Sequence, residues 1–309
     1  SAFYIVLVGH IAGLLFMNQF GMSWIEQNLL GFLGEGAKVK VGGVLAGAFL
    51  ILVLGIIDDV RVLSPWAKLG GQSLAAFVLW WSGIRLELFV LSNPVFSMIV
   101  TMSWVILITN SLNLLDNMDG LCGGVSVIAA LSFFLCVQAD DNLVRLLLMI
   151  FAGAVAGFLY HNISPARIFM GDAGAMFCGY ILATVAVLGT YHVEGTPSHV
   201  AVAAPLLALS VPLFDTLSVI FIRLRSGDHI MKGDKRHFSH RLVKLGMTSR
   251  QAVEFIYLVA GVVGLGAALL PQLGMQGTAI IIAQTCGVFL LIVLLMITGR
   301  NRGGESEDG

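Results

Sequence analysis

Repeated runs of about 20 apolar residues restrict the fold of this chain more than any other feature. A hydrocarbon layer about 30 Å thick takes about 20 residues of helix to cross, and a helix satisfies its own backbone hydrogen bonds in lipid. About ten such runs lie at 2–20, 41–57, 68–84, 95–112, 121–138, 143–160, 173–190, 199–222, 251–270 and 277–298. The sequence therefore predicts an all-α, polytopic integral membrane protein with about ten transmembrane helices.

The composition agrees with a membrane setting. Of the 309 residues, 58% are hydrophobic and 11% are charged, and this charged share is under half of the roughly 25% usual in soluble domains. The net charge of −1 does not indicate a nucleic-acid partner, so the lipid bilayer is the expected partner. The four cysteines lack CxxC spacing, which favours reduced packing residues over a disulfide framework or a zinc site.

The chain has no linker long enough to divide it, so we expect one transmembrane domain over residues 1–300 and a disordered polar tail at 301–309. Residues 85–91 alternate polar and apolar side chains ahead of an Asn-Pro pair, a pattern that predicts a short external β-hairpin. The chain starts at Ser1 without a basic leader, so we expect a truncated N-terminus.

The basic residues predict the orientation in the membrane. If the spans alternate, thirteen of the 17 Lys and Arg residues fall on one side, and the positive-inside rule makes that side cytoplasmic. The exceptions are Lys38, Lys40, Arg85 and Arg145. Most of the unusual polar residues lie in the loops of the cytoplasmic side, at 58–68, 113–120, 161–172 and 223–250. We therefore expect an active-site cleft that opens to the cytoplasm.

The first two of these loops are rich in aspartate. Asp58 and Asp59 end an apolar run and are followed by Lys68; adjacent carboxylates disfavour each other's ionisation unless a cation lies nearby. Asp116 and Asp119 are spaced three apart, so they share a face where a helix is expected to end. Acids at the mouth of a membrane helix are candidates for function, although a solvated helix end would explain either pair.

The third loop is broken by Pro165 and Gly171, and it leaves the candidates His161, Asn162, Arg167, Phe169 and Asp172. Helix capping alone would also account for Asp172.

The fourth loop, 223–250, contains eight Lys or Arg and three His. His237 and His240 share a face if their segment is helical. Membrane topology or anionic lipid would explain the charge but not the paired histidines. For Asp215, inside an apolar run, an ion pair with Arg223 and a catalytic role both stay open.

These loops together place carboxylates, amides, histidines and cations at one membrane face. That set is typical of Mg²⁺-assisted phosphoryl transfer, because Mg²⁺ prefers oxygen ligands and cations stabilise the phosphates. An intramembrane prenyltransferase also uses Asp-rich motifs and Mg²⁺, but it would not need the third and fourth loops. A secondary transporter would place its acids near the bilayer midplane, often in repeated halves.

In the order and spacing of GIIDDV, NSLNLLDNMDGL, FMGDAG, PLFDT and DKRHFSHRL, the chain resembles the polyprenyl-phosphate N-acetylhexosamine-1-phosphate transferases. This family, glycosyltransferase family 4, includes the phospho-MurNAc-pentapeptide translocase, and the similarity runs from about residue 41 to residue 250. It implies transfer of N-acetylhexosamine 1-phosphate from a UDP-sugar to polyprenyl (undecaprenyl) phosphate, with release of UMP. It further implies Mg²⁺, or alternatively Mn²⁺, a bacterial plasma (inner) membrane location, a homodimer, and a role in starting cell-surface glycans such as lipopolysaccharide or teichoic acid.

The resemblance also implies residue roles. Asp172 would ligate Mg²⁺ with Asn113 beside it, and Phe169 would stack on uracil. The expected catalytic residues are Asp58, Asp59, Asp116, His237, His240 and Arg241. The expected substrate-binding residues are Lys68, Asn113, Asp119, Asn162 and Phe169, and the expected metal ligands are Asp172 and Asn113. We expect these side chains to surround one pyrophosphate, with Asp58 and Asp59 handling the acceptor phosphate.

Two departures from the family pattern affect these expectations. Ser239 replaces the middle histidine of a His-x-His-His pattern, so a diphosphate role is expected only of the neighbouring His237, His240 and Arg241. The DKRHFSHRL form is more similar to the UDP-HexNAc branch than to the MurNAc-pentapeptide branch, which stays the alternative. A helix and a basic Gly-Gly loop that precede this region in the family are expected to be missing.

Overall fold

The computed structural model describes residues 35–86, 93–138, 141–189, 199–227 and 236–304, and within these ranges it contains helices and no strand. The helices are α1 Glu35–Val60, α2 Pro65–Trp81, α3 Pro94–Leu115, α4 Leu121–Cys136, α5 Asn142–Asn162, α6 Gly171–Leu188, α7 His199–Ala208, α8 Ser210–Ser226, α9 Phe238–Lys244, α10 Ser249–Leu269 and α11 Met275–Gly304. The all-α prediction is confirmed for these residues. The predicted first span, most of the predicted hairpin and residues 305–309 lie outside them.

Six helices among the described residues are long and apolar enough to cross a membrane: Lys38–Val60, Pro94–Leu115, Asn142–Asn162, Gly171–Leu188, Ser249–Gln272 and Met275–Thr298. The chain is a multi-pass membrane protein. At 1.5 Å per residue, a helix of 16 residues such as α4 reaches only about 24 Å, which is short of the hydrocarbon thickness. The predicted total of ten spans stays a prediction.

The predicted run 199–222 forms two helices, α7 and α8, which are separated at Leu209. Pro212 lies in the first turn of α8 and has no backbone N–H to donate to the preceding turn. A proline is tolerated in a first turn because the N–H groups there lack intrahelical partners. The residue pattern of an apolar run does not show this break.

The chain groups into two compact units. Unit 1 comprises Ser1–Asn113 and Arg167–Leu188. In it, α1 packs against α2 and α6. Two glycines allow the α1–α6 approach: a Cβ at Gly47 would overlap the Tyr180 ring, and one at Gly55 would overlap the backbone of Ala173. The Trp104 indole on α3 donates a hydrogen bond to the Ala183 carbonyl on α6, at 3.2 Å.

Unit 2 comprises Leu114–Ala166 and Gly189–Gly309. Its central element is α10, which packs against α4, α7, α8, α9 and α11. Gly124 on α4 lies directly against the Tyr257 ring of α10, and the Tyr257 hydroxyl donates to the Gly120 carbonyl at 2.6 Å. These contacts hold the loop at 116–120 against α10.

Candidate active site

In unit 1, an ammonium group joins two carboxylates from distant parts of the sequence. Lys68 forms ion pairs with Asp58 and, at 2.7 Å, with Asp172. The Asn113 amide donates to the other Asp172 oxygen at 2.8 Å. The end of α1, the start of α2, the end of α3 and the start of α6 thus meet at one point. We call Asp58, Lys68, Asn113 and Asp172 the Lys68 cluster.

Asp58 is held in place by its own loop. It is 5% exposed, and its second oxygen accepts the Leu63 N–H at 2.7 Å. The Ser64 hydroxyl then accepts the Ala67 N–H as the N-cap of α2, with Pro65 in the first turn. Because this connection is short, Lys68 lies in the first turn of α2, and its ammonium group reaches Asp58.

Asp59, the adjacent residue, has different partners. Its carboxylate accepts the backbone N–H groups of Asp172 at 2.8 Å and of Ala173 at 3.3 Å. The N-terminus of a helix carries unpaired N–H groups and a partial positive charge, so a carboxylate there is stabilising. Asp59 therefore caps α6 from another helix. The capping explanation for Asp172 does not describe its side chain, which faces Lys68 and Asn113.

One helical turn away from the Lys68 cluster, the side-chain amides of Gln72 on α2 and Asn110 on α3 contact each other. Asn110 on α3 donates to the Gln72 oxygen at 2.6 Å and to the Ile106 carbonyl at 2.8 Å. Gln72 is almost fully buried. The amide pair ties α2 to α3 and so fixes Lys68 relative to Asn113. This role was not predicted from the sequence, where the polar Gln72 within an apolar helix was the available signal.

The donor set of the Lys68 cluster fits Mg²⁺. Within the described ranges, no group of three or more His, Cys, Asp or Glu side chains is arranged to hold a metal ion. Mg²⁺, however, takes one or two protein carboxylates and completes its shell with water and substrate phosphate. Asp58 and Asp172 meet that smaller requirement, because their carboxylates already share one cation, the Lys68 ammonium.

In unit 2, a cavity of about 330 Å³ lies beside the loop at 116–120. Its lining residues are Asn117, Met118, Asp119, Ser164, His240, Val243, Ser249 and Val253. Asp119 accepts the Ala166 N–H at 3.0 Å, and the buried Asn162 side chain accepts the Gly120 N–H at 3.0 Å. These two bonds join the loop after α3 to the loop after α5, and both loops contribute to the polar wall of the cavity.

Helix α9 supplies the histidines. His237 is its N-cap, and the His237 Nδ1 lies 2.8 Å from a carboxylate oxygen of Asp215 on α8. Asp215 is fully buried. Its other oxygen accepts the Phe238 N–H. From the sequence, an ion pair and a catalytic role were both open for Asp215; a lone acid inside an apolar run was the signal that could have identified its importance.

Arg241 and Ser239 complete the attachment of α9. Arg241 donates to the Ser218 hydroxyl on α8, and Ser239 donates to the Asn117 side chain. Burial lowers the pKa of the Arg241 guanidinium, while the nearby Asp215 charge opposes this shift. Among the residues that the structure describes, the Arg241 Nε is buried and has no hydrogen-bond partner.

The predicted site residues divide between the two units. Unit 1 contains Asp58, Asp59, Lys68, Asn113, Phe169 and Asp172, and unit 2 contains Asp116, Asp119, Asn162, His237, His240 and Arg241. Phe169 is 72% exposed, and Asp116 is half-buried. The expectation that all twelve line one cleft stays a prediction.

Comparison with known proteins adds an independent finding. A family model described as glycosyl transferase family 4 matches residues 41–190. The probable undecaprenyl-phosphate N-acetylglucosaminyl 1-phosphate transferase of Bacillus subtilis is 31% identical over 289 residues, which cover 90% of this chain and 78% of that protein. The decaprenyl-phosphate N-acetylglucosaminephosphotransferase of Mycolicibacterium smegmatis is 31% identical over 89% of this chain and 72% of that protein. The undecaprenyl-phosphate alpha-N-acetylglucosaminyl 1-phosphate transferase of Haemophilus influenzae is 29% identical over 78% of this chain and 72% of that protein.

Proposed function

The chain belongs to glycosyl transferase family 4, and we propose that it transfers N-acetylglucosamine 1-phosphate, or a related N-acetylhexosamine 1-phosphate, from a UDP-sugar to a polyprenyl phosphate. The printed names of the relatives give the transferred group and the lipid acceptor. The reaction would start a cell-surface glycan at the cytoplasmic face of a bacterial plasma membrane. If the spans alternate, the loops on one side carry most of the basic residues, and this excess supports the proposed orientation.

The observation that carries the proposal is the Lys68 cluster. Two carboxylates share the Lys68 ammonium and the Asn113 amide donates to one of them, so that four helices each contribute one residue, in a chain that is otherwise poor in charge. Phosphoryl transfer is catalysed chiefly by positioning and by cations that stabilise the phosphates. The cluster offers both: Lys68 as a fixed positive charge and Asp172 as a ligand for Mg²⁺. When bound at Asp172 beside Asn113, Mg²⁺ would neutralise charge on the diphosphate.

The bond changes follow from the products. An oxygen of the polyprenyl phosphate forms a new bond to the β-phosphorus of the UDP-sugar. The bond from that phosphorus to the oxygen bridging it to the α-phosphorus breaks, and UMP leaves with the bonding electrons. Asp58 is the candidate for keeping the acceptor phosphate deprotonated, because both Asp59 oxygens hold α6 amides.

Other residues are assigned to the UDP-sugar. The exposed Phe169 ring is suited to stacking on uracil, since aromatic faces bind bases without needing a polar partner. In unit 2, the cavity wall at Asp119 and His240 is suited to polar groups of the nucleotide. Asp116 is retained as a further candidate, and the Arg241 guanidinium as an anion-binding group.

The competing functions predict different products. The MurNAc-pentapeptide branch would also release UMP but would require a peptide-bearing donor. A prenyltransferase would release diphosphate, and a transporter would give no new covalent product. The relatives' names favour the N-acetylglucosamine donor.

A ³²P label placed in one phosphate of the donor tests the proposal, because the label shows which product receives that phosphate. Purified protein in lipid nanodiscs is given undecaprenyl phosphate, Mg²⁺ and UDP-GlcNAc carrying ³²P in either the β- or the α-phosphate. We expect the β-label in the organic phase as lipid diphosphate sugar and the α-label in water as UMP. If the β-label stays in UDP, the sugar alone has been transferred and the proposal is wrong.

A further inference from the structure

The two histidines of α9 have different surroundings. The His237 side chain is 6% exposed and paired with a carboxylate, whereas His240 lines the unit 2 cavity. Their ring centroids lie 6.4 Å apart. Because their surroundings differ, the two histidines do not share the single role that the family resemblance implied for both.

The His237 ring is paired with a buried carboxylate. Asp215 is fully buried, and an ionised carboxylate has acceptors only. One of its oxygens lies 2.8 Å from the His237 Nδ1, a hydrogen bond in which an ionised Asp215 accepts and the Nδ1–H donates. A buried carboxylate is stable only when donors satisfy its oxygens, and Asp215 has His237 on one oxygen and the Phe238 N–H on the other. Both donors belong to the start of α9.

The rest of α9 is held by contacts on either side of His240. Ser239 donates to Asn117, which also lines the cavity. Arg241 donates to Ser218, and the Ser218 hydroxyl donates to the backbone carbonyl of Asp215 at 2.9 Å. The Phe238 ring packs edge-on against Phe214, with centroids 5.4 Å apart. The position of His240 is therefore determined by α8 through the start of its own helix.

We propose that Asp215 and His237 are a buried positioning pair, which orients α9 so that His240 is the histidine presented to the ligand in the cavity. This inference rests on the proposed function, because the ligand is taken to be the UDP-sugar. His237 then acts through His240 and contacts Asp215 instead of substrate. Asp215 gains a role that its place in an apolar helix does not reveal.

Two amide substitutions of His237 test the pair. The amide nitrogen of asparagine is two bonds from Cβ, as Nδ1 of histidine is; that of glutamine is three bonds away, as Nε2 is. We expect the His237→Asn variant to keep its hydrogen bond to Asp215 and to release UMP within about 3-fold of wild type. The His237→Gln variant should lose about 10-fold or more, as expected when a buried charged acceptor loses its donor. The reverse order would mean that Nε2 contacts substrate and would overturn the proposal.

A second measurement does not depend on the His237 variants. Asp215→Asn keeps an acceptor for the Phe238 N–H but turns an N–H toward Nδ1. We expect it to lower kcat/KM for UDP-GlcNAc about 10-fold in the wild-type chain and less than about 2-fold in a His240→Ala chain. Equal losses in both chains, with equal drops in the unfolding temperature, would indicate a merely structural Asp215 and contradict the inference. Wild-type UMP release is measured in parallel, so its absence counts against the proposed function instead.

Discussion

Asp58 and Asp59 are neighbours in the sequence, but their carboxylates hold different parts of the molecule. Asp58 pairs with Lys68, and Asp59 caps the N-terminus of α6. Helical geometry turns adjacent side chains about 100° apart, so the two carboxylates meet different partners. The family resemblance implied that both handle phosphate, and only the positions of α2 and α6 separate their contacts.

Removal of the Lys68 charge tests the cation site. In a Lys68→Gln variant, Asp58 and Asp172 lose their shared cation, and we expect the free energy of unfolding without Mg²⁺ to fall by about 1–3 kcal/mol. Added Mg²⁺ should raise the unfolding temperature of this variant more than that of wild type, because binding to the native state stabilises it and no ammonium competes for Asp172.

The matched control is Lys40→Gln, which changes an exposed lysine of α1. Thermal unfolding of the three proteins, with and without Mg²⁺, provides the comparison. An identical Mg²⁺ response in all three would remove Asp172 from the metal site.

At the scale of the element, the start of α6 depends on two close backbone approaches. Gly171 has φ of +67°, and a Cβ on it would lie 2.8 Å from an Asp59 carboxylate oxygen. A Cβ at Gly55 would overlap the Ala173 backbone. Glycine is therefore required where α1 contributes both its Asp59 cap and its packing surface to α6.

A Gly171→Ala variant tests this account of α6. A left-handed residue other than glycine costs about 1–2 kcal/mol, and the displaced Asp59 carboxylate adds to this cost. We expect lower thermal stability and weaker UMP release. Gly153→Ala, at an exposed helical site with open space around it, should be neutral or stabilising by up to about 1 kcal/mol. Equal stability of the two variants would show that the Asp59 cap contributes little.

The sequence predicted the long helices well because their apolar runs report burial in lipid directly. The run 143–160, for example, appears as Asn142–Asn162, and the break that Pro165 and Gly171 predicted lies between α5 and α6. Contacts between distant segments were not predictable in the same way. The Asp59 cap, the Gln72–Asn110 pair and the Asp215–His237 pair each join residues on different elements, and hydrophobic periodicity contains no signal for partner choice.

At the scale of the whole molecule, the orientation of the chain is testable by labelling. Val62 lies in the loop at 61–64 and is 97% exposed, and Gly274 precedes α11. In a chain without native cysteines, we expect an impermeant maleimide to label a Val62→Cys variant from the cytoplasmic side and a Gly274→Cys variant from the opposite side. Labelling of both from one side would contradict the predicted topology.

We propose that Asp172 holds the divalent cation for sugar-1-phosphate transfer. The most direct measurement is Mg²⁺-dependent UMP release from UDP-GlcNAc and undecaprenyl phosphate by the Asp172→Asn variant, beside Asp141→Asn, which alters the N-cap of α5. We predict that Asp172→Asn abolishes Mg²⁺-dependent release while Asp141→Asn keeps it. Full turnover by Asp172→Asn would contradict the account.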